Sequence, residues 1–236
     1  MKLPDSKFKF VDRGELETLV LIPGWATDFR IFEDLDLKFN YLLPVSFSPF
    51  NFSEGLLPAM KENRLRKVSL FGWSLGGFVA SDFAAGYKDK VREVILLSVR
   101  KRYEREAVEK VRAYVKGNRK GYLYKFYRSF FSEKERESFL WFKKHLLNDY
   151  LFRMKSKALF AGLDYLLEAQ LNPQRLQGVR LKFIHGQEDA IVPVSEVSTL
   201  LKNVLPHANY IFLKDAGHIP FMAPNFRKVF YGEQGG

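Results

Sequence analysis

Apolar positions along the chain follow two rhythms. Strand-length apolar stretches occur at Thr18 to Ile22, where the run is continuous, and at Tyr41 to Val45, Lys67 to Phe71, Val91 to Ser98, Val179 to His185 and Asn209 to Leu213. Runs that are apolar at successive positions fill both faces of a pleated strand, as in a parallel sheet covered on both sides. Pro44 predicts an early end for the second run. Between the runs lie segments with helical spacing: Leu56 to Asn63, Leu75 to Tyr87, Val194 to Val204 and Asn225 to Phe230. The stretch Ser46 to Gly55 is rich in Ser, Pro, Phe and Asn and reads as a loop. Strands alternating with helices at this spacing predict right-handed βαβ units and a parallel sheet.

The rhythm breaks between Arg100 and about Arg175. That segment carries no buried-strand run and four helical patterns instead: Ala107 to Lys116, Gly121 to Phe131, Glu133 to Leu147 and Tyr150 to Leu167. Phe, Tyr and Leu recur there at helical spacing with Lys and Arg between them. The predicted architecture is one α/β core, residues 1–99 and 176–236, interrupted by a helical insert, residues 100–175. A length of 236 residues suits one domain with an insertion.

Charge sharpens this division. From Arg100 to Arg175 there are 19 Lys and Arg against 9 Asp and Glu, and the rest of the chain carries 19 against 18. The insert therefore owns nearly all of the net +11. Nucleic acid, an anionic membrane surface and an acidic protein all fit such a segment. No recognised nucleic-acid motif accompanies it, and no stretch reaches membrane-spanning length. Met1 to Lys7 has no apolar core of a signal peptide. With no cysteine, a disulfide framework and a thiolate metal site are excluded. A soluble, cytoplasmic, monomeric protein is expected, with no metal or cofactor.

The candidate chemistry centres on Gly72-Trp73-Ser74-Leu75-Gly76-Gly77. Gly-x-Ser-x-Gly at a strand-to-helix junction is the pattern of a nucleophile elbow. Small neighbours are needed because the flanking backbone comes very close. A serine hydroxyl needs a base, and the base an orienting carboxylate. The chain offers four histidines: His145 in the insert, His185 ending a strand, His207 in a polar turn, and His218 in Asp215-Ala216-Gly217-His218-Ile219-Pro220. His218 is favoured, because it follows the last strand and Gly217 lets the ring turn into a cleft. For the acid, Asp189 follows the penultimate strand, at the carboxyl end where open α/β sheets place their sites. Glu188 and Asp215 are its competitors. An oxyanion hole is expected from the backbone N–H of Leu75 and that of Trp25, where Gly24 permits the bend after the Thr18 to Ile22 strand.

Together Pro23-Gly24-Trp25, Gly72 to Gly77, Gly186-Gln187-Glu188-Asp189-Ala190-Ile191-Val192-Pro193 and Ala216-Gly217-His218-Ile219-Pro220-Phe221 resemble the α/β-hydrolase superfamily. Within it the chain most resembles the pimeloyl-acyl-carrier-protein methyl ester carboxylesterases of biotin synthesis (the BioH type), from about Thr18 to Phe230. The likeness continues through Gly162 to Leu166 and Leu176 to Val179. It implies an α/β-hydrolase fold with a mostly parallel central sheet and a helical cap inserted after the strand ending near Ser98. It also implies a serine carboxylesterase with Ser74, Asp189 and His218 as triad, and a basic cap that docks acidic acyl carrier protein. By position, Phe126, Tyr127, Arg128, Ser129 and Phe130 match the family's acyl-channel stretch. Two features depart from the family: Pro23 stands where a histidine is usual, and residues 46–55 lack the usual Pro-Gly-aromatic-Gly-x-Ser pattern. A general short-chain esterase and a non-catalytic binding module are the alternative readings.

Overall fold

The computed structural model describes residues 7–197 and 208–232, without the side chain of Pro173. Seven strands are found among the described residues: β1 (Lys7–Val11), β2 (Thr18–Ile22), β3 (Asn40–Ser46), β4 (Val68–Trp73), β5 (Val91–Leu97), β6 (Arg180–Gly186) and β7 (Asn209–Leu213). They form one sheet in the order β1-β3-β2-β4-β5-β6-β7. Every pairing is parallel except β1 with β3. The central strands are the most apolar, and Leu19 to Ile22, Leu70, Phe71 and Val94 to Leu97 have no exposure. Helices α1 (Phe52–Glu62), α2 (Leu75–Gly86) and α7 (Phe226–Tyr231) belong to the core region.

Three expectations need correction here. β1 escaped the sequence pattern because it is a short, half-exposed edge strand whose lysines alternate with Phe8 and Phe10. β3 does not stop at Pro44. Its parallel ladder with β2 runs only from Asn40 to Leu42, so Pro44 lies beyond it and pairs with Phe8 on the β1 side. The segment read as a loop to Gly55 already contains the first turn of α1, because Phe52 docks among Phe8, Phe47 and Phe83. The helix expected over 194–204 is described through Val197; residues 198–204 and His207 lie outside the described residues.

Between β5 and β6 come α3 (Arg105–Arg128), α4 (Arg136–Phe142), α5 (Asn148–Arg153) and α6 (Ser156–Glu168), with a single π-turn at Lys143–Leu147. The two helices expected over 107–116 and 121–131 are halves of α3. Asn118 breaks it at φ −145°, ψ 82°, and its Oδ1 accepts from Gly121 N at 2.9 Å, restarting the helix. The helix expected from Tyr150 to Leu167 is interrupted at Met154, which is extended at ψ 96°. The two ends of this segment meet. Arg102 bridges Gln170, and Leu171 N donates to Lys101 O at 2.9 Å. Among the described residues no helix is long and apolar enough to cross a membrane.

What positions the centre of the sheet is the close approach of α2 to β2 and β4. A Cβ on Gly76 would overlap the Ile22 carbonyl and stand 2.7 Å from Pro23 O. One on Gly77 would overlap the Val99 side chain. Gly76→Ala should therefore force backbone apart and destabilise by about 3 kcal/mol, read as a lowered urea midpoint. An unchanged midpoint would show that the helix has room to move.

Candidate active site

Ser74 is the residue between β4 and α2, with φ 53° and ψ −119°. A non-glycine residue there is strained by about 1–3 kcal/mol. Its backbone is held on both sides, with Ser74 N donating to Leu97 O at 2.8 Å and Ser74 O accepting from Gly77 N at 2.9 Å. The turn thus lifts the hydroxyl out of the carboxyl end of the sheet, and the residue stays 8% exposed.

β6 and β7 deliver the other two groups. His218 Nε2 lies 3.0 Å from Ser74 Oγ, and His218 Nδ1 lies 2.8 Å from Asp189 Oδ2. Asp189 Oδ1 accepts from Ile191 N and Val192 N, both at 2.8 Å. Burial pushes the Asp189 carboxyl up, yet the charge and hydrogen bond of His218, with help from His185 and Val192 N–H, carry it below its ordinary value. It is therefore a carboxylate at neutral pH. The His218 backbone is held from the core side, where Trp73 Nε1 donates to His218 O at 2.7 Å.

Leu75 follows Ser74 in the chain, and the turn that carries Trp25 comes close, since a Cβ on Gly24 would stand 3.3 Å from the Ser74 side chain. Among the described residues neither backbone N–H has a hydrogen-bond acceptor. The indole of Trp25 is built into the helical insert: Nε1 donates to Leu159 O at 2.8 Å, and a Cβ on Gly162 would stand 2.6 Å from its ring. That contact explains the glycine in α6. Pro23 supplies no side-chain donor, and the turn after β2 is braced instead by Thr27 Oγ1 donating to Gly24 O at 2.9 Å and by Tyr127 OH donating to Ala26 O at 2.7 Å.

The insert residues divide. Phe126 packs on Trp25 with ring centroids 5.0 Å apart, and Phe130 on Trp73 and His218 at 5.2 and 5.9 Å. Tyr127 is fully buried beneath them. Arg128 points outward, to Phe131 O and the Phe139 ring, and Ser129 Oγ caps Phe126 O. So Phe126 and Phe130 are brought to the site, and the side chains of Arg128 and Ser129 are not. A cavity of about 670 Å³ adjoins Gly24, Trp25 and Leu75, with Arg30, Lys155 and Lys157 among its lining residues.

Tyr103 was not singled out from the sequence. It sits at the neck of the insert, with Arg100 over its ring at 4.8 Å and Phe78 beside it at 6.1 Å. Burial pushes its phenol up to about 12, and the Arg100 charge opposes that rise. It is thus a neutral group at the neck of the insert. The only sequence signal was its place just past a strand's carboxyl end. The rejected candidates lie elsewhere: His145 stacks on Trp141, Glu188 is exposed, and Asp215 pairs with Lys134.

His185 is fully buried behind Asp189, its Nε2 donating to Val192 O at 2.9 Å. Burial pushes its pKa below the ordinary 6.5, so it stays a neutral ring in the fold. Below that pH the unfolded chain takes up a proton that the native state refuses, so this contribution is complete above pH 6.5 and lost as pH falls. Melting temperature should therefore drop more steeply between pH 7 and 5.5 in wild type than in His185→Gln. Parallel curves would contradict the assignment.

Comparison with known proteins bears on the fold. A family model described as the alpha/beta hydrolase fold matches residues 46–223. Among solved structures, a thermophilic esterase from Thermogutta terrifontis is 22% identical, covers 95% of this chain and 90% of its own, and superposes with a TM-score of 0.75. An esterase from Exiguobacterium antarcticum is 18% identical over 95% of this chain and 92% of its own, at 0.77. A bromoperoxidase from Bacillus anthracis is 18% identical over 95% and 93%, at 0.75. At such identities the neighbours speak to fold, and their differing activities show how many chemistries it hosts. The family match spans most of the chain, the sheet order and the strained serine turn fit it, and the chain belongs to the alpha/beta hydrolase fold family.

Proposed function

We propose that the chain is a serine carboxylesterase. The observation that carries this reading is the unbroken hydrogen-bonded line from Asp189 through His218 to Ser74 at the carboxyl end of the sheet. Ser74 Oγ attacks the ester carbonyl carbon while its proton passes to His218 Nε2. Asp189 holds the Nδ1–H and stabilises the imidazolium. The N–H groups of Trp25 and Leu75 receive the tetrahedral oxyanion. Collapse expels the alkoxide, which takes the proton from Nε2 and leaves an acyl-enzyme. Water then attacks, His218 relays its proton back to Ser74, and the acid departs.

For the substrate, our reading is the methyl ester of a pimeloyl group on acyl carrier protein, with methanol as the leaving alcohol. Two features support it: the motif resemblance, and the concentration of positive charge in residues 100–175, the segment that packs on the site. A general short-chain esterase is the second reading. It is favoured by local pairing of insert cations, as of Arg112 with Glu109 and Asp164 and of Arg153 with Asp149.

Ser74→Ala should lower kcat on p-nitrophenyl esters of short acyl chains by about 10⁴-fold or more; equal rates would sink the nucleophile. The substrate reading has its own measurement. Raising salt should reduce kcat/KM on the carrier-bound methyl ester and spare the free ester, because exposed charge attraction is screened within about 10 Å at 0.1 M. An identical salt response of both esters would select the general esterase.

A further inference from the structure

Glu135 is a buried carboxylate that the chemistry above does not use. It lies in the turn between α3 and α4 and is only 6% exposed. Its Oε2 accepts from Ser132 N at 2.8 Å and from Gly217 N at 2.7 Å, and its Oε1 has no partner among the described residues. Nor does any cation pair with it among those residues. Gly217 immediately precedes His218. The next N–H along, that of His218 itself, donates to Phe130 O at 2.7 Å. Ser132 Oγ donates to Asp215 O at 2.7 Å, and Lys134 pairs with Asp215.

The histidine loop is thus gripped from two sides. On the core side it lies on Gly186, where a Cβ would overlap Ala216 and Gly217 carbonyls. On the insert side, a Cβ on Gly217 would overlap Phe130 O and stand 2.9 Å from both Glu135 Oε2 and Ser132 N. The two consecutive N–H groups of Gly217 and His218 are satisfied by the insert alone. A buried carboxylate lacking a cation is costly, and burial raises its pKa while the Ser132 and Gly217 N–H groups pull it back. An acceptor of that expense, aimed at the peptide before the histidine, has its physical use in fixing that peptide.

We propose that Glu135 is a positioning residue for His218: by holding the Gly217 N–H, the helical insert sets the imidazole against Ser74. This rests on the esterase reading of Ser74 and His218. The insert is then part of the catalytic frame at this end.

The test is ester hydrolysis by Glu135→Ala, Glu135→Asp and Glu135→Gln, with melting temperature measured alongside. Glu135→Ala should lose about 10²-fold in kcat with KM little changed, because the base is misplaced and the binding surface kept. Glu135→Asp withdraws the carboxylate by one methylene and should also lose kcat, which keeps the test valid if the alanine variant does not fold. Glu135→Gln retains an acceptor oxygen and should recover most of the rate. Wild-type kcat in the alanine or aspartate variant, a loss that falls on KM, or a glutamine variant no better than alanine would overturn the proposal. Wild-type protein no faster than Ser74→Ala would overturn the esterase reading and this role with it.

Discussion

Ser74 can hold a φ of 53° only because the backbone around it is packed too closely for side chains. Helix α2 leaves β4 so abruptly that Gly76 lies on the Ile22 carbonyl and Gly72 on the Gly76 carbonyl. That packing fixes where the hydroxyl points, and it places the free N–H of Leu75 at the start of a helix, where partial positive charge accumulates. The same close approach puts the turn after β2, with Trp25, alongside. Strain at one residue is thus stabilised by contacts spread over three elements, and it orients the Ser74 hydroxyl and the Leu75 N–H together.

The helical segment between β5 and β6 then completes the arrangement. Its α6 receives the Trp25 indole at Leu159 O, its α3 braces Ala26 O through Tyr127, and its 130–135 turn takes the N–H groups of Gly217 and His218. Each of these contacts meets a loop that carries a site residue. The segment is joined to the sheet through a short neck, where Arg102 bridges Gln170 and Tyr103 packs beside Phe78. The most basic part of the chain forms one wall of the cavity beside Trp25 and Leu75, through Arg153, Lys155 and Lys157.

Sequence pattern located the buried strands well because a strand covered on both faces has no choice but to be apolar. The elbow and the two loops after β6 and β7 were legible for a related reason: Gly72, Gly76, Gly186 and Gly217 stand where any Cβ would meet backbone. β1 was invisible because an edge strand of alternating Lys and Phe is short and half wet. Glu135 was invisible because nothing local marks it; its partner Gly217 lies 82 residues further along the chain. The aromatic run Phe126 to Phe130 was read as a unit, yet a helix turns successive side chains apart, so Phe126 and Phe130, four apart, share the site-facing side and Arg128 leaves it.

Labelling with a fluorophosphonate, which phosphonylates a serine only where a base has activated it, followed by peptide mass mapping, tests the central claim most directly. The account predicts a single adduct, on Ser74, that is lost in His218→Ala while the protein stays folded. An unmodified protein, or an adduct on another residue, would contradict it.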